Sequence, residues 1–341
     1  MSAHPFTLRL LDWYATHRRE MPWRRTREPY AVWLSEVILQ QTRVQQGWSY
    51  WERFMEAFPT VEALAAAQID DILRLWQGLG YYSRARHLHE AARQVVALGA
   101  FPSSREGWLR LSGVGPYTAA AVASLTCNED CAALDGNAFR LLARHFGIGL
   151  PIGSSEAKRT FEALAKELLP PGHARDFNLA VMDFGSLQCT PQSPLCTACP
   201  MGDTCVALHE GRVGELPARG RKVAVQERRM TYVYIRHNGH VALRQRGAGD
   251  IWQGLWELVP LTSLTDKAPH MILIAKAVKH QLTHRTLLVD LYLWEPAARP
   301  LLQGDYRWVD ETALDRYAHP RLFDKLFALL PPPTQPIATP S

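Results

Sequence analysis

The 341-residue sequence predicts a multidomain protein in which an all-α region is followed by a smaller α+β domain. Apolar residues recur with the 3.6-residue period of a helix from Leu8 to about Leu208. From about residue 229 the period changes to two, which is typical of half-buried strands. The intervening stretch 210–228 contains Pro217 and Gly220 and has no sustained period, so we interpret it as a linker.

Individual helices are predicted from apolar spacing and end signals. The four residues at i, i+3, i+4 and i+7 of one such face are Ile69, Ile72, Leu73 and Trp76. Ser103 and Glu106 have the spacing of a capping box. A further helix is expected over residues 33–44, with Glu36, Gln40 and Arg43 sharing one side.

The C-terminal region has strand and turn signals. Segments 230–237 and 240–246 flank Asn238-Gly239, a strong two-residue hairpin signal. Alternation at 286–294 predicts another strand, followed by a short strand near Trp308 and a helix at about 311–329. The proline-rich residues 331–341 are expected to be disordered.

Composition limits the class of protein. An apolar fraction of 47% suits more than one core, and no run of eighteen apolar residues or secretory signal is found, so we expect a soluble protein of a reducing cytoplasm. The net charge of +5 includes a cluster of arginines, which permits a polyanionic partner but is also compatible with a solvated turn. These arginines are Arg18, Arg19, Arg24, Arg25 and Arg27.

Four cysteines form a C-x6-C-x2-C-x5-C pattern: Cys189, Cys196, Cys199 and Cys205. Thiolates spaced this closely, with prolines and a glycine between them, favour a 4Fe-4S cluster. Zinc remains an alternative, although structural zinc sites usually present two close pairs of ligands. Disulfides are a weaker alternative, because Cys127 and Cys131 lie in a helical context and secretion is not indicated.

A glycine-containing turn precedes a run of small residues at 111–119. Gly113 and Gly115 would expose backbone N–H groups at a helix N-terminus, which is a site for a phosphate. This is a helix-hairpin-helix signature, although a plain tight turn would also explain the glycines.

Two carboxylates are candidates for catalysis. Glu36 has bulky apolar neighbours that would favour its protonated form and suit a general acid, although a solvated surface glutamate is the ordinary case. Asp135 precedes Gly136-Asn137 and, taken alone, is better explained as the cap of the next helix; it could instead face a cationic transition state.

Segment 77–86 combines two glycines with aromatic and basic residues. Tyr81 and Tyr82 could wedge into or stack on bases while Arg84 and Arg86 hold phosphates. A core tyrosine pair is the alternative.

In this order, these segments resemble the helix-hairpin-helix DNA glycosylases of the endonuclease III superfamily, and within it the MutY-type adenine DNA glycosylases. The residues that carry the resemblance are Pro22-Trp23-Arg24, residues 35–42, Gly78-Leu79-Gly80-Tyr81-Tyr82, residues 111–119, Leu134-Asp135-Gly136-Asn137 and the four cysteines. The resemblance covers nearly the whole chain. It implies a catalytic region at 1–209, with a six-helix barrel at about 21–127 and an iron-sulfur module formed by the N-terminal helix and 128–209, then a MutT-like (Nudix-like) domain at 229–330.

The resemblance implies a monofunctional glycosylase that removes adenine mispaired with 8-oxoguanine or guanine and leaves an abasic site. Glu36 would protonate N7 of adenine, and the Asp135 carboxylate would face the sugar as it gains oxocarbenium character. Tyr117 and Asn137 would position Asp135 or water. Related enzymes that also cut the backbone carry a lysine where this chain has Tyr117, so a lyase step is disfavoured.

The resemblance also assigns binding roles. Trp23 and Arg24 would line the base pocket, Gln41 and Tyr81 would enter the duplex, and Gly113 and Gly115 would hold a phosphate. Thr283 and His284 would recognise 8-oxoguanine, in a loop that reads Leu-Thr-His where the family generally has Phe-Ser-His. A metal pair of His280 and His284 is a minor alternative.

Two further departures concern substrate and hydrolysis. The family often has a polar residue at Leu179, so base preference could differ. The Nudix box, which has several metal-binding glutamates, is missing, since Glu257 is the only glutamate between Trp252 and Leu258. This domain is therefore expected to bind rather than hydrolyse.

The implied partner is double-stranded DNA with A:8-oxoguanine or A:G mispairs. We expect a monomer in the bacterial cytoplasm, associated with the nucleoid, that meets a replication clamp and downstream abasic-site repair enzymes. Two rival functions remain: an endonuclease III-like glycosylase for oxidised pyrimidines, and a non-catalytic lesion-binding or redox-sensing iron-sulfur protein.

Overall fold

The structure, a computed structural model, describes residues 4–218, 220, 225–264 and 270–332. The chain divides into two compact units. The helical unit comprises Met1–Ala66 and His87–Lys222, and the sheet unit comprises Ala67–Arg86 and Val223–Ser341. The segment Ala67–Arg86 thus groups with the C-terminal residues, while the domain boundaries inferred from the sequence stay a prediction.

The region expected to be all-α is built from helices and short 3-10 turns in its described residues. The helices are α1 (Pro5–His17), α2 (Pro29–Leu39), α3 (Val44–Ala57), α4 (Val61–Ala66), α5 (Ile69–Trp76), α6 (Ser83–Leu98), α7 (Arg105–Trp108), α8 (Pro116–Cys127), α9 (Gly136–Phe146), α10 (Ser155–Leu168), α11 (Ala174–Leu187) and α12 (Val206–His209). In the described part of the chain, no helix is both long and apolar enough to cross a membrane.

Helix ends agree with the sequence signals in some places and differ in others. The apolar face of α5 is confirmed, with Ile72, Leu73 and Trp76 buried. The cap of α7 was predicted one residue too early, because the Ser104 side chain, not that of Ser103, accepts from the Gly107 N–H. The helix expected over 33–44 is also wrong at its end, since α2 stops at Leu39.

The core of the helical unit brings α8, α9 and α11 together. In α8 the residues Thr118–Thr126 are all buried, and small side chains there allow neighbouring helices to approach closely. Phe161, Phe177 and Phe184 fill the space beside α9. This packing fixes the N-termini of α8 and α9, from which Tyr117 and Asp135 project.

The sheet unit contains a mixed sheet in the order β3-β2-β1-β6-β5, with β4 paired to β1 and β7 to β2. The strands are β1 (Gln226–His237), β2 (His240–Gln245), β3 (Trp256–Glu257), β4 (Val259–Pro260), β5 (Ile272–Gln281), β6 (Arg285–Trp294) and β7 (Arg307–Asp310). β1 and β6 run parallel, from Gln226 opposite Arg285 to Ile235 opposite Trp294. Helix α13 (Arg321–Phe327) covers one face through Leu322, Phe323 and Leu326.

The predicted hairpin is confirmed, because Asn238 and Gly239 both have positive φ between β1 and β2. The helix expected at 311–329 is wrong as one element. A 3-10 segment at Glu311–Arg316 is separated from α13, which Pro320 precedes. Of the predicted tail, residues 333–341 lie outside the described part of the chain.

Candidate active site

Glu36 lies on α2 among apolar residues and is buried, with only 8% of its surface exposed. Its Oε2 accepts a hydrogen bond of 3.0 Å from the Tyr117 hydroxyl. Burial raises the pKa of Glu36 to about 7, against the lowering effects of the Tyr117 hydrogen bond and the Arg24 charge. A carboxyl with this pKa can carry a proton near neutral pH and can give it up.

Asp135 caps α9, and its Oδ1 accepts from the Ala138 N–H at 2.7 Å. The second oxygen, Oδ2, accepts from the Asn137 side-chain amide at 2.7 Å. Helix capping, which the sequence alone favoured, is therefore one role of this residue. Asp135 also lines the same cleft of about 580 Å³ as Glu36 and Tyr117, so the two carboxylates face a common space.

Tyr117 sits in the first turn of α8, after Gly115 and Pro116. Burial, and then the charges of Glu36 and Asp135, raise its pKa well above the usual value, so the phenol stays a hydrogen-bond donor. Gly113 has φ +72°, and a Cβ there would collide with His87. Glycine is thus required in the turn that leads into the cleft.

Gln41 lies at the same cleft, is exposed, and has φ +55°. This left-handed conformation is unfavourable for a side chain larger than glycine. The preceding Gln40 donates a 3.0 Å hydrogen bond to Thr118 Oγ1, which ties the end of α2 to α8. The strained backbone at Gln41 therefore lies where the chain turns sharply beside the cleft.

Trp23 and Arg24 are placed differently from the other candidates. Trp23 is buried, with ring centroids 5.5 Å from those of both Trp48 and Trp51. Neither Trp23 nor Arg24 is among the described residues that line the cleft of Glu36. Arg24 Nη1 instead pairs with Asp183 Oδ2 at 2.7 Å. The sequence reasoning missed Asp183, whose signal was a carboxylate within the apolar run of α11.

Four arginines of the arginine-rich segment share two acidic neighbours, which offset two of their charges. Arg19 joins Arg24 on the buried Asp183 carboxylate. The exposed Arg18 and Arg25 both pair with Glu20, at 3.5 and 3.3 Å. The segment is therefore neither a plain solvated turn nor a row of free cations.

Arg140 connects the Asp135 loop to the cysteine segment. Its Nη2 donates to Asn137 Oδ1 at 2.8 Å and also to the Gly185 carbonyl. Its Nε donates to the Cys189 carbonyl at 2.8 Å. Since Asn137 in turn holds Asp135, a single guanidinium links the Asp135 loop to the cysteine loop.

The four cysteines of the pattern line one small cavity beside α9 and α11. All six cysteines of the chain are free thiols, so the disulfide alternative is wrong in this structure. Burial raises the pKa of the Cys199 thiol, and the charges of the other three cysteines add to the rise. Arg144 Nη1 donates to Cys189 Sγ at 3.5 Å. In the described residues the four thiols line one cavity but do not come together as ligands of a single metal ion. Their thiolates, with the Arg144 cation to offset part of the negative charge, suit an iron-sulfur cluster.

Leu179 is buried in the core of the helical unit. The adjacent Asn178 is also buried and holds the approach to Asp135: its Oδ1 accepts from the Ala133 N–H at 2.9 Å, and its Nδ2 donates to Ser124 and to the Cys131 carbonyl. The apolar side chain of Leu179 therefore packs rather than offering a hydrogen bond.

The sheet unit carries Tyr81, Thr283 and His284. Thr283 and His284 lie in the turn between β5 and β6, closed by a 2.8 Å bond from the Leu282 N–H to the Arg285 carbonyl. The Tyr81 and Thr283 hydroxyls form a hydrogen bond, and Tyr81 has φ +46° and is 43% exposed. The unit thus presents a phenol and a threonine together at its surface.

Glu257 is buried in the sheet unit and fully engaged. Tyr232 donates to its Oε2 at 2.7 Å, Arg244 Nε donates to its Oε1 at 2.8 Å, and Arg246 also pairs with Oε2. Within the described ranges, no three His, Cys, Asp or Glu side chains come together as ligands of one metal ion.

Comparisons with known proteins match two parts of the chain. Residues 34–171 match the HhH-GPD superfamily of base excision DNA repair proteins, and residues 231–329 match a NUDIX domain. The chain resembles a thermostable thymine-DNA glycosylase of known structure, with a TM-score of 0.55 and 31% identity over 60% of this chain and 95% of that one. An endonuclease III–DNA complex shares the fold, with a TM-score of 0.53 and 20% identity over 60% of this chain and 94% of that one.

Over residues 34–171 the chain thus has the helical fold of the HhH-GPD superfamily. Adenine DNA glycosylases are similar in sequence: that of Rattus norvegicus is 42% identical over 62% of this chain, and that of Buchnera aphidicola subsp. Schizaphis graminum is 31% identical over 75% of each chain. The chain belongs to the adenine DNA glycosylase family. It spans 44% of the rat relative.

Proposed function

We propose that the chain hydrolyses the N-glycosidic bond of adenine mispaired with 8-oxoguanine, or with guanine, in duplex DNA. The observation that carries the proposal is that Glu36, with a pKa of about 7, and Asp135 line one cleft. An acid and a second carboxylate are the groups that glycosidic cleavage requires.

The reaction begins with adenine outside the base stack, because its glycosidic bond cannot be reached within the duplex. Glu36 gives its proton to N7, and the C1′–N9 electron pair leaves with a neutral base. The Asp135 carboxylate stabilises the positive charge on the sugar, and water then adds at C1′. Ionised Glu36 can accept the proton that this water releases.

The product is an abasic site with an intact backbone. Tyr117 occupies the position of the lysine in related lyases, and its phenol is held on Glu36. Because it offers no amine, no imine forms with the sugar. Asn137 holds Asp135 in place through its amide.

DNA contacts are assigned to exposed backbone and side chains. The turn at Gly113 and Gly115 suits a phosphate at the N-terminus of α8. Gln41 and Tyr81 are exposed residues with positive φ in tight turns, which suits entry into the duplex. Trp23 and Arg24, which do not line the described cleft of Glu36, are assigned to the base pocket by the family resemblance alone.

The sheet unit recognises 8-oxoguanine through Thr283 and His284. The Thr283 hydroxyl and the exposed His284 ring can form hydrogen bonds to a base edge. Glu257 is occupied by Arg244, Arg246 and Tyr232, which supports binding without hydrolysis.

The cysteine cavity is proposed to hold one 4Fe-4S cluster on Cys189, Cys196, Cys199 and Cys205. The cluster would fix the loop in which the Cys189 carbonyl accepts a hydrogen bond from Arg140 Nε. Iron and sulfide analysis of the purified protein checks this: about four irons per chain support a cluster, and stoichiometric zinc contradicts it.

Monomeric state, a bacterial nucleoid location and association with a replication clamp and abasic-site repair enzymes belong to the same proposal. They follow from the family alone and carry no step of the chemistry.

The decisive experiment measures strand breakage after alkali in a duplex with adenine opposite 8-oxoguanine, for the wild type and Glu36→Gln. We expect breakage by the wild type only, and none without alkali. Parallel duplexes with thymine glycol or with thymine opposite guanine, each treated with borohydride, test the rival glycosylases. Equal breakage by wild type and Glu36→Gln would remove the proposed acid, and no excision by either would favour a lesion-binding role.

A further inference from the structure

Asp183 is a fully buried carboxylate on α11. Its Oδ1 accepts from Arg19 Nε at 2.6 Å, and Oδ2 accepts from the Arg19 backbone N–H at 3.0 Å and from Arg24 Nη1 at 2.7 Å. Burial alone would raise the pKa of Asp183, but the hydrogen bonds and charges of Arg24 and Arg19 outweigh it and lower the pKa. This carboxylate is therefore an anion that holds two cations.

Arg24 lies between two acidic groups. Its side chain is 11% exposed and is ion-paired with Asp183, while its positive charge also acts on Glu36. The Arg24 backbone is fixed independently, because Arg175 Nη2 donates to its carbonyl at 2.6 Å. Loss of the Asp183 charge would free the guanidinium without moving the turn that carries it.

A largely buried guanidinium that has lost its carboxylate partner would pair with another carboxylate, because an unpaired buried charge is costly. We propose that Asp183 is a positioning residue that binds the Arg24 guanidinium and holds it back from the Glu36 carboxylate, so that Glu36 stays available as the proton donor. This inference rests on the proposed function of Glu36. Asp183 touches no reacting atom and acts through Arg24.

The groups that face Glu36 come from three elements. Tyr117 of α8 donates to it, Arg24 acts from the turn before α2, and Asp135 acts from the start of α9. Around Asp183 the charged or titratable neighbours are Arg19, Arg24 and Tyr14 of α1. Removal of the Asp183 charge would let the Arg24 guanidinium move toward Glu36 and make the potential there more positive, which favours ionised Glu36.

The test compares single-turnover adenine release by full-length wild type and Asp183→Asn from about pH 5.5 to about pH 9. We expect the alkaline limb to move down by about one pH unit, so that the rate at about pH 8 falls roughly tenfold while the acid plateau falls less. Asp176→Asn, an exposed carboxylate of the same helix, is the matched control. A uniform rate loss with an unmoved limb would reduce Asp183 to a structural residue.

A second readout does not need activity. The Glu36 carboxyl can be titrated by NMR in protein labelled with ¹³C-carboxyl glutamate, with Glu36→Gln to assign the signal. We expect a lower midpoint in Asp183→Asn, and an equal midpoint would overturn the positioning role. If the wild type excises no adenine, the proposed function is wrong. The titration would still show whether replacement of Asp183 lowers the Glu36 midpoint or leaves it unchanged.

Should Asp183→Asn not fold, Arg24→Gln and the double variant Arg24→Gln/Asp183→Asn answer the same question by the same NMR titration. Because Asp183 acts through Arg24, Arg24→Gln and the double variant should have the same Glu36 midpoint. That midpoint should be higher than that of the wild type. A further downward shift in the double variant would contradict the proposal.

Discussion

The Tyr117 hydroxyl donates a 3.0 Å hydrogen bond to Glu36 across the start of α8 and the middle of α2. The bond stabilises the ionised form of a carboxyl that burial otherwise keeps protonated. The acidity of Glu36 thus depends on a phenol that itself stays protonated.

Tyr117→Phe should raise the pKa of Glu36, because it removes a donor to the charged form. A hydrogen bond to an ionised group contributes about 1.5–3 kcal/mol, so the alkaline limb of adenine excision should move up by about one to two pH units. The measurement is the pH profile of single-turnover release. Tyr30→Phe, which deletes a buried hydroxyl bonded to the Phe58 carbonyl, should leave the limb in place.

Glu36→Gln should stabilise the protein at alkaline pH. The pKa of Glu36 is about 7 in the folded state against 4.5 as the reference, so the folded protein binds the extra proton. The contribution of protonated Glu36 to the free energy of unfolding is fully present below about pH 4.5 and is lost as pH rises through 7. Urea unfolding should show a gain of up to about 3 kcal/mol at pH 8 and little at acid pH. The same substitution at the exposed Glu90 should show no such pH dependence.

Gly185→Ala should impair catalysis although alanine is the better helix former. A Cβ at this position of α11 would lie 2.7 Å from Asn137 Cβ and 3.0 Å from its carbonyl oxygen. The displacement of Asn137 would release Asp135, and we expect a rate loss of about tenfold or more with destabilisation of about 1–3 kcal/mol. Gly214→Ala, where a Cβ meets open space, is the control, and equal activity of both variants would contradict this account.

Thr283→Val should weaken discrimination between 8-oxoguanine and guanine opposite adenine. It removes a hydroxyl that pairs with Tyr81 at the surface of the sheet unit. We expect the ratio of excision rates for the two mispairs to fall by about five- to tenfold, the effect of one hydrogen bond. Thr262→Val alters an exposed threonine elsewhere in the unit, and its ratio should equal that of the wild type.

Elements controlled by local chemistry could be predicted from the sequence. The Asn238-Gly239 hairpin depends on two positive φ values that these residues adopt easily. The end of α2 could not be predicted, because residues 40–46 contain no proline or glycine to stop a helix, and the bond from Gln40 to Thr118 joins segments that are distant in the chain. Strand β5 was missed because register shifts between Leu273 and Val278 interrupt its alternation.

The candidate site was predictable in its residue types but not in its supports. Glu36 and Asp135 were selected by their motifs, and the structure places them in one cleft. Asp183 and Gly185 could not be found by spacing, because their importance depends on Arg24 and Asn137, which are distant in the chain. A buried carboxylate becomes interpretable only when its cations are known.

The pairing of Arg18, Arg19, Arg24 and Arg25 with acidic side chains has a consequence for DNA association. Counterions are released from a duplex only by cations that are free to neutralise phosphates, at about 0.9 ion per contact. This segment would therefore add less to the ionic-strength dependence of affinity than its five positive charges suggest, because Asp183 and Glu20 offset two of those charges.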